Sequence, residues 1–140
     1  MIRQLTIEHV EVLAHRLARE IMSWDEPIPD FGARFPNILE SCLAAPFQTF
    51  AKKDLYPRIE DKAAILFYLL IKNHPFENGN KRVAVTSLLV FLQINGFWLE
   101  TTPDEIYRIA VWVAESIPVT KEGVCKALVD FIKKGIISTG

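Results

Sequence analysis

The chain has 140 residues, a length that suits one domain with a single core. Half of it is hydrophobic and 24% charged, which is the make-up of a soluble globular protein and not of a disordered or fibrous chain. Sixteen Lys and Arg against seventeen Asp and Glu leave a net charge of −1, which argues against a general nucleic-acid binder and leaves room only for a local basic patch.

Thr6 to Met22 carries apolar residues at Ile7, Val10, Leu13, Ala14, Leu17, Ala18 and Ile21. That spacing predicts an amphipathic helix with Thr6 as its N-cap. Its histidines, His9 and His15, stand six apart and so on different faces. They cannot form the i, i+4 pair of a zinc helix and read as surface or groove-lining side chains. Ser23 to Pro36 holds three prolines and a glycine, punctuation that no regular element survives. Trp24, Phe31 and Phe35 in that stretch either pack as a lid on the core, the favoured reading, or offer a docking surface. Asn37 to Ala45 predicts a short helix capped by Asn37, with Ile38, Leu39 and Leu43 inward and Pro46 as its stop. Phe47 to Pro57 has no helical period and carries only a weak hairpin signal.

Asp61 to Asn73 predicts a helix whose centre, Ala63 to Ile71, is apolar all round, and Val83 to Ile94 has the same character. Helices without a polar stripe are buried on every side, so the connection His74 to Asn80 is held at the protein's centre. Pro75 disfavours helix at His74, and Asn95-Gly96 ends the second helix. Thr102-Pro103-Asp104-Glu105 is a start signal with an N-cap Thr, Pro at N1 and Glu at N3. That helix runs to about Ser116 with Ile106, Ile109, Ala110 and Val113 inward, and Pro118 breaks the chain. Thr120 caps a last helix to about Lys134, with Val124, Leu128 and Phe131 on one stripe. The expectation is a single all-α domain over residues 1–140, with about six helices around two buried central ones.

Cys42 and Cys125 lie far apart, fit no metal or redox spacing, and read as buried free thiols of a reduced cytosol. The start, MIRQLTIEHV, lacks the layout of a signal peptide, and no apolar run approaches the ~18 residues of a membrane span. A cytoplasmic protein without a membrane partner is expected.

The stretch His74 to Arg82, HPFENGNKR, opens the second buried helix. Lys81 and Arg82 fall in the first helical turn, where the helix dipole already presents positive charge. A cation there is unfavourable by a few tenths to about 1 kcal/mol. A bound anion explains the exception, because a helix N-terminus is a ready phosphate site. His74 is then a general base at the lip of a phosphate loop. Gly79 lets backbone approach the phosphates, Asn80 and the N–H groups after it donate to phosphate oxygens, and Arg82 forks two oxygens. Phe76 reads as the buried anchor of the loop.

HPFENGNKR closely resembles the Fic/Doc signature H-P-F-x-(D/E)-G-N-(G/K)-R, matching it at His74, Pro75, Phe76, Gly79, Asn80 and Arg82. ILESCLAAP and LYPRIEDKAAILFYLLIKNHPF before the loop, and NKRVAVTSLLVFLQINGF after it, look like the Doc branch. Lys81 points the same way, since Fic adenylyltransferases usually have glycine there. The resemblance implies a Doc-type toxin of a toxin–antitoxin pair. Such an enzyme transfers the γ-phosphoryl group of a nucleotide such as ATP to a Ser or Thr hydroxyl of a protein target, a translation elongation factor. The alternatives are a Fic-type protein adenylyltransferase, or a binding module with weakened catalysis.

Two departures bear on that choice. The family's acidic Mg²⁺ ligand falls at Asn78, with Glu77 as the adjacent carboxylate. Either Asn78 holds a water-bridged Mg²⁺, or Glu77 substitutes, or catalysis is slow or absent, because an amide is a weak ligand for so hard a cation. The sequence also lacks the inhibitory S/T-x-x-x-E-G/N motif, and Val85 stands where a second arginine is placed in self-inhibited members. Restraint by a separate antitoxin chain is therefore expected, with no direct nucleic-acid contact.

Overall fold

A computed structural model describes residues 1–21 and 27–140. Within them six helices form the body of the protein: α1 (7–21), α2 (Ile38–Ala44), α3 (Ile59–Lys72), α4 (Asn80–Ile94), α5 (Pro103–Glu115) and α6 (Lys121–Gly135). The expected all-α class holds, and α3 and α4 are the two central helices. Residues 63–68 of α3 and 82–88 of α4 are buried without a break, as their lack of a polar stripe predicts. α3 packs against α4 and α6, while α4 also meets α1 and α5. Among the described residues no helix is long and apolar enough to cross a membrane.

α1 departs from its predicted pattern. It contains a π-helical stretch, Val10–His15, which widens the turn and rotates the residues after it. Val10, Ala14 and Ala18 face the core, whereas Leu13 and Leu17 are 42% and 39% exposed. His15, read as a surface or groove residue, is carried inward to 4% exposure. The small Ala14 brings α1 close enough to α4 for the Thr86 hydroxyl to donate to the Ala14 carbonyl at 2.7 Å.

The caps divide by chemistry. Thr6 accepts from the His9 amide and Thr102 from the Glu105 amide, as their spacing predicts. Asn37 sits before α2 in a left-handed conformation (φ 69°) and makes no side-chain cap bond. The Thr120 hydroxyl donates backwards to Ile117 O instead of capping α6.

Two short antiparallel pairs complete the fold. β1 (Thr49–Phe50) and β2 (Lys53–Asp54) form the weakly signalled hairpin. Its turn places Ala51 and Lys52 at φ 52° and 67°, positions where Asn or Gly would be the recognisable signal. The buried Lys62 braces it, donating to Pro46 O at 3.1 Å and lying 3.7 Å from the Asp54 carboxylate. β3 (Phe97–Leu99) and β4 (Ile136–Ser138) tie the end of α4 to the end of α6, a pairing absent from the sequence reading.

Of the aromatic stretch before α2, Trp24 lies outside the described residues. Phe31 packs on Phe76 with centroids 6.0 Å apart, in the manner of the lid reading, while Phe35 is 43% exposed. Cys42 is buried, Cys125 is only half-buried, and both are free thiols.

Candidate functional site

The loop between α3 and α4 is built on strain and on one amide. Pro75 disfavours helix at the residue before it, and His74 takes φ 51°, a left-handed conformation uncommon for a side chain bearing a Cβ. Such outliers cluster at functional sites, where surrounding contacts hold them. Phe76 is fully buried and supplies one hold, its ring stacked 5.2 Å from His15. Asn80, the first residue of α4, supplies the other. Its Oδ1 accepts from the Phe76 amide at 2.9 Å and its Nδ2 donates to Phe76 O at 2.8 Å.

Those two bonds fix which end of the Asn80 amide is which. The remaining Nδ2 hydrogen faces His74 Nδ1 at 3.3 Å. Nδ1 is thus the acceptor, which puts the ring's hydrogen on Nε2. The Asn80 side chain, read from the sequence as a phosphate donor, is committed to closing its own loop. The first helical bond of α4 runs from Val83 N–H to Gly79 O, so the amides of residues 80–82 form the first turn, pointing along the axis.

Gly79 is required for a reason the sequence does not show. Its φ is 80°, and a Cβ there would lie 2.5 Å from Ile28 Cγ1. The protein's own Ile28 makes the close approach to the backbone.

A small cavity of about 170 Å³ opens beside the imidazole. It is lined by His74 and residues 77–81, with Ile71 of α3 and Ala114 of α5 completing it. The structure therefore brings together His74, Glu77, Asn78, Gly79, Asn80 and Lys81. Arg82 is buried at 4% exposure and Phe76 is buried too, and neither lines the cavity. Ligand pockets run to about 300–1,000 Å³, so this cavity suits a phosphate group or two and not a whole nucleotide. Glu77 and Asn78 are exposed on its lining, one carboxylate and one amide oxygen. Among the described residues no group of three or more His, Cys, Asp and Glu comes together as a metal site.

Two wall residues escaped the sequence reading. Ile71 is the last buried apolar residue of α3 before the loop, so its nearness in the chain to His74 could have found it. Ala114 comes from α5 with no local signal. It is held there by Lys72, whose ammonium donates to Ala114 O at 3.3 Å and Ser116 O at 2.5 Å. That cation sits at the C-terminal end of α5, where the helix dipole favours it.

The family model of the Fic/DOC family matches residues 4–92. A curated protein called Toxin Doc, from Mycolicibacterium smegmatis, is 44% identical over 63 residues, which are 45% of this chain and 48% of that protein. The match thus spans about half the length of the curated relative.

Proposed function

The chain belongs to the Fic/DOC family, and from that premise we propose that it is a transferase toxin of the Doc type, held in check by a separate antitoxin chain. The reaction is transfer of the γ-phosphoryl group of a nucleoside triphosphate, ATP being the expected donor, to a Ser or Thr hydroxyl of a protein target in translation. The observation that carries this reading is the cavity that joins His74 to the amino-terminal turn of the buried α4. Lys81 on its lining favours the kinase reaction over AMP transfer, because its added charge and bulk occupy the position where the adenylyltransferases have glycine.

In this reaction the target oxygen bonds to the γ-phosphorus and the bridging oxygen of the nucleoside diphosphate leaves. The hydroxyl proton passes to His74. Because Asn80 faces Nδ1, accepting that proton on Nε2 first requires the hydrogen to exchange to Nδ1. The exposed ring reaches that form through water at the loss of one long contact, about 1 kcal/mol, a small term beside the ~10²–10⁴-fold contribution of a positioned base. The dipole of α4 with Lys81 and Arg82 offsets the charge of the transferring group, so catalysis is mostly positioning and electrostatics. Glu77 would hold a Mg²⁺ carried on the polyphosphate, since that ion takes one or two carboxylates besides phosphates and water, with Asn78 a weaker amide oxygen beside it. When bound it would supply charge neutralisation between phosphates.

The test is incubation of the protein with labelled ATP and host lysate. Label from the γ-position on one target band, lost in His74→Ala, is expected. Label from the α-position alone overturns the kinase reading in favour of AMP transfer.

A further inference from the structure

A histidine that takes no part in the proposed chemistry sits directly behind the loop. His15 is 4% exposed, and two lines of contact run from it to the site. Its ring lies 5.2 Å from that of Phe76, the loop's anchor. Its Nε2 lies 2.9 Å from the Pro29 carbonyl, which can only accept, so the hydrogen is on Nε2. The residue before Pro29 is Ile28, 5% exposed, whose Cγ1 lies 2.5 Å from where a Cβ of residue 79 would be.

The segment from 27 to 30 has no regular secondary structure of its own to hold it. The Arg19–Asp30 ion pair beside it is solvent-exposed, 47% and 85%, and such pairs hold little. The His15 bond is part-buried, better shielded from water than that pair, and is therefore the stronger restraint. Packing alone does not explain this residue, because a leucine would fill the space between Phe31 and Phe76 without needing an acceptor. The π-helical stretch of α1, the one irregularity in that helix, ends at His15 and turns it inward.

We propose that His15 is a positioning residue for the phosphate loop: its Nε2–H fixes Pro29, which keeps Ile28 seated on Gly79 and the first turn of α4 in register. The functional consequence rests on the reading of residues 79–82 as the phosphate site; the mechanical link does not.

Amide hydrogen exchange on the full chain without ligand tests the link. The reporters are the Phe76 amide, bonded to Asn80 Oδ1, and the Val83 amide, bonded to Gly79 O. His15→Leu keeps the bulk and loses the donor, whereas His15→Gln places an N–H near the same spot. In His15→Leu both reporters are expected to exchange at least about fivefold faster, the factor for one ordinary net hydrogen bond. The amides of α6 should stay unchanged, and His15→Gln should stay near the parent. Affinity for ATP with Mg²⁺ should weaken by a similar factor in His15→Leu alone. Equal behaviour of the two variants, or exchange that rises as much in α6 as in the loop, overturns the proposal. Should His15→Leu not fold, Ile28→Ala reports the same link, and unchanged Val83 exchange in it overturns the proposal. Local acceleration in a chain whose parent does not bind ATP upholds the strut and removes the phosphate reading instead.

Discussion

Replacing Gly79 by alanine separates two reasons for a glycine at that position. The left-handed φ of 80° alone costs a residue with a Cβ about 1–2 kcal/mol. The new methyl would also lie 2.5 Å from Ile28 Cγ1, 3.2 Å from its Cβ and 3.4 Å from its Cδ1. The Cγ1 contact is the severe one, and the buried Ile28 side chain has little room to rotate away from it, at about 1–3 kcal/mol for overpacking. The sum, about 2–5 kcal/mol, is a large part of the ~5–15 kcal/mol that holds an ordinary domain together.

Ile28→Ala on its own loses a buried side chain, at about 2–5 kcal/mol. If the clash is real, Gly79→Ala/Ile28→Ala is less destabilised than the two single costs added, by about 1–3 kcal/mol. Urea unfolding of the four proteins, compared where their m-values agree, measures this. Additive single costs would refute the steric account.

Lys72→Met leaves Ala114 O and Ser116 O without their donor and is expected to lower stability by about 1–3 kcal/mol in thermal unfolding, with partial recovery in Lys72→Arg. No loss in Lys72→Met would mean that packing alone holds the end of α5 over the cavity. The stability of the chain should also fall as the medium is acidified just below neutrality. Burial holds the His15 pKa below its ordinary 6.5, outweighing the Pro29 carbonyl, which pulls it up. Above 6.5 the ring is neutral in both states; below it the unfolded chain takes up the proton first, so stability declines until the folded pKa is passed. Urea midpoints measured between pH ~7.5 and ~5.5 should show a decline that is absent in His15→Gln.

The parts of this protein legible in the sequence are those fixed by neighbours in the chain. The apolar runs of α3 and α4, the Thr102-Pro103 start and the Gly96 stop each depend on a few adjacent residues, and each appears where expected. The misplacements have a different cause. Leu13 and Leu17 follow helical period correctly, but the π turn that lies against α4 leaves them outward. Ala51 and Lys52 carry no turn signal because the bracing of their hairpin comes from Lys62 on α3. Asn37 and Thr120 are good capping residues whose side chains do not cap, which only the backbone around them decides. The same division runs through the site. HPFENGNKR carries the family signature in nine consecutive letters, while the residues packed around it, His15, Ile28 and Ala114, arrive from α1, an irregular stretch and α5.

That support explains how the loop keeps its unfavourable charges. Lys81 and Arg82 at the positive end of α4 oppose the dipole by about 0.3–1 kcal/mol each. Against this stand the two hydrogen bonds between Asn80 and the Phe76 backbone, about 1 kcal/mol apiece. The full burial of the Phe76 side chain adds about 1.5–3 kcal/mol. Packing therefore exceeds the repulsion, and the loop can hold its shape with no anion present. An anion that binds there finds the backbone already ordered and removes the repulsion at the same time. On the proposed reading, a polyphosphate bound there would spend less of its affinity on ordering than in a loop that folds around its ligand. A neutral residue at position 81, on the cavity lining, is expected to weaken the nucleotide complex, which calorimetry with ATP and Mg²⁺ checks.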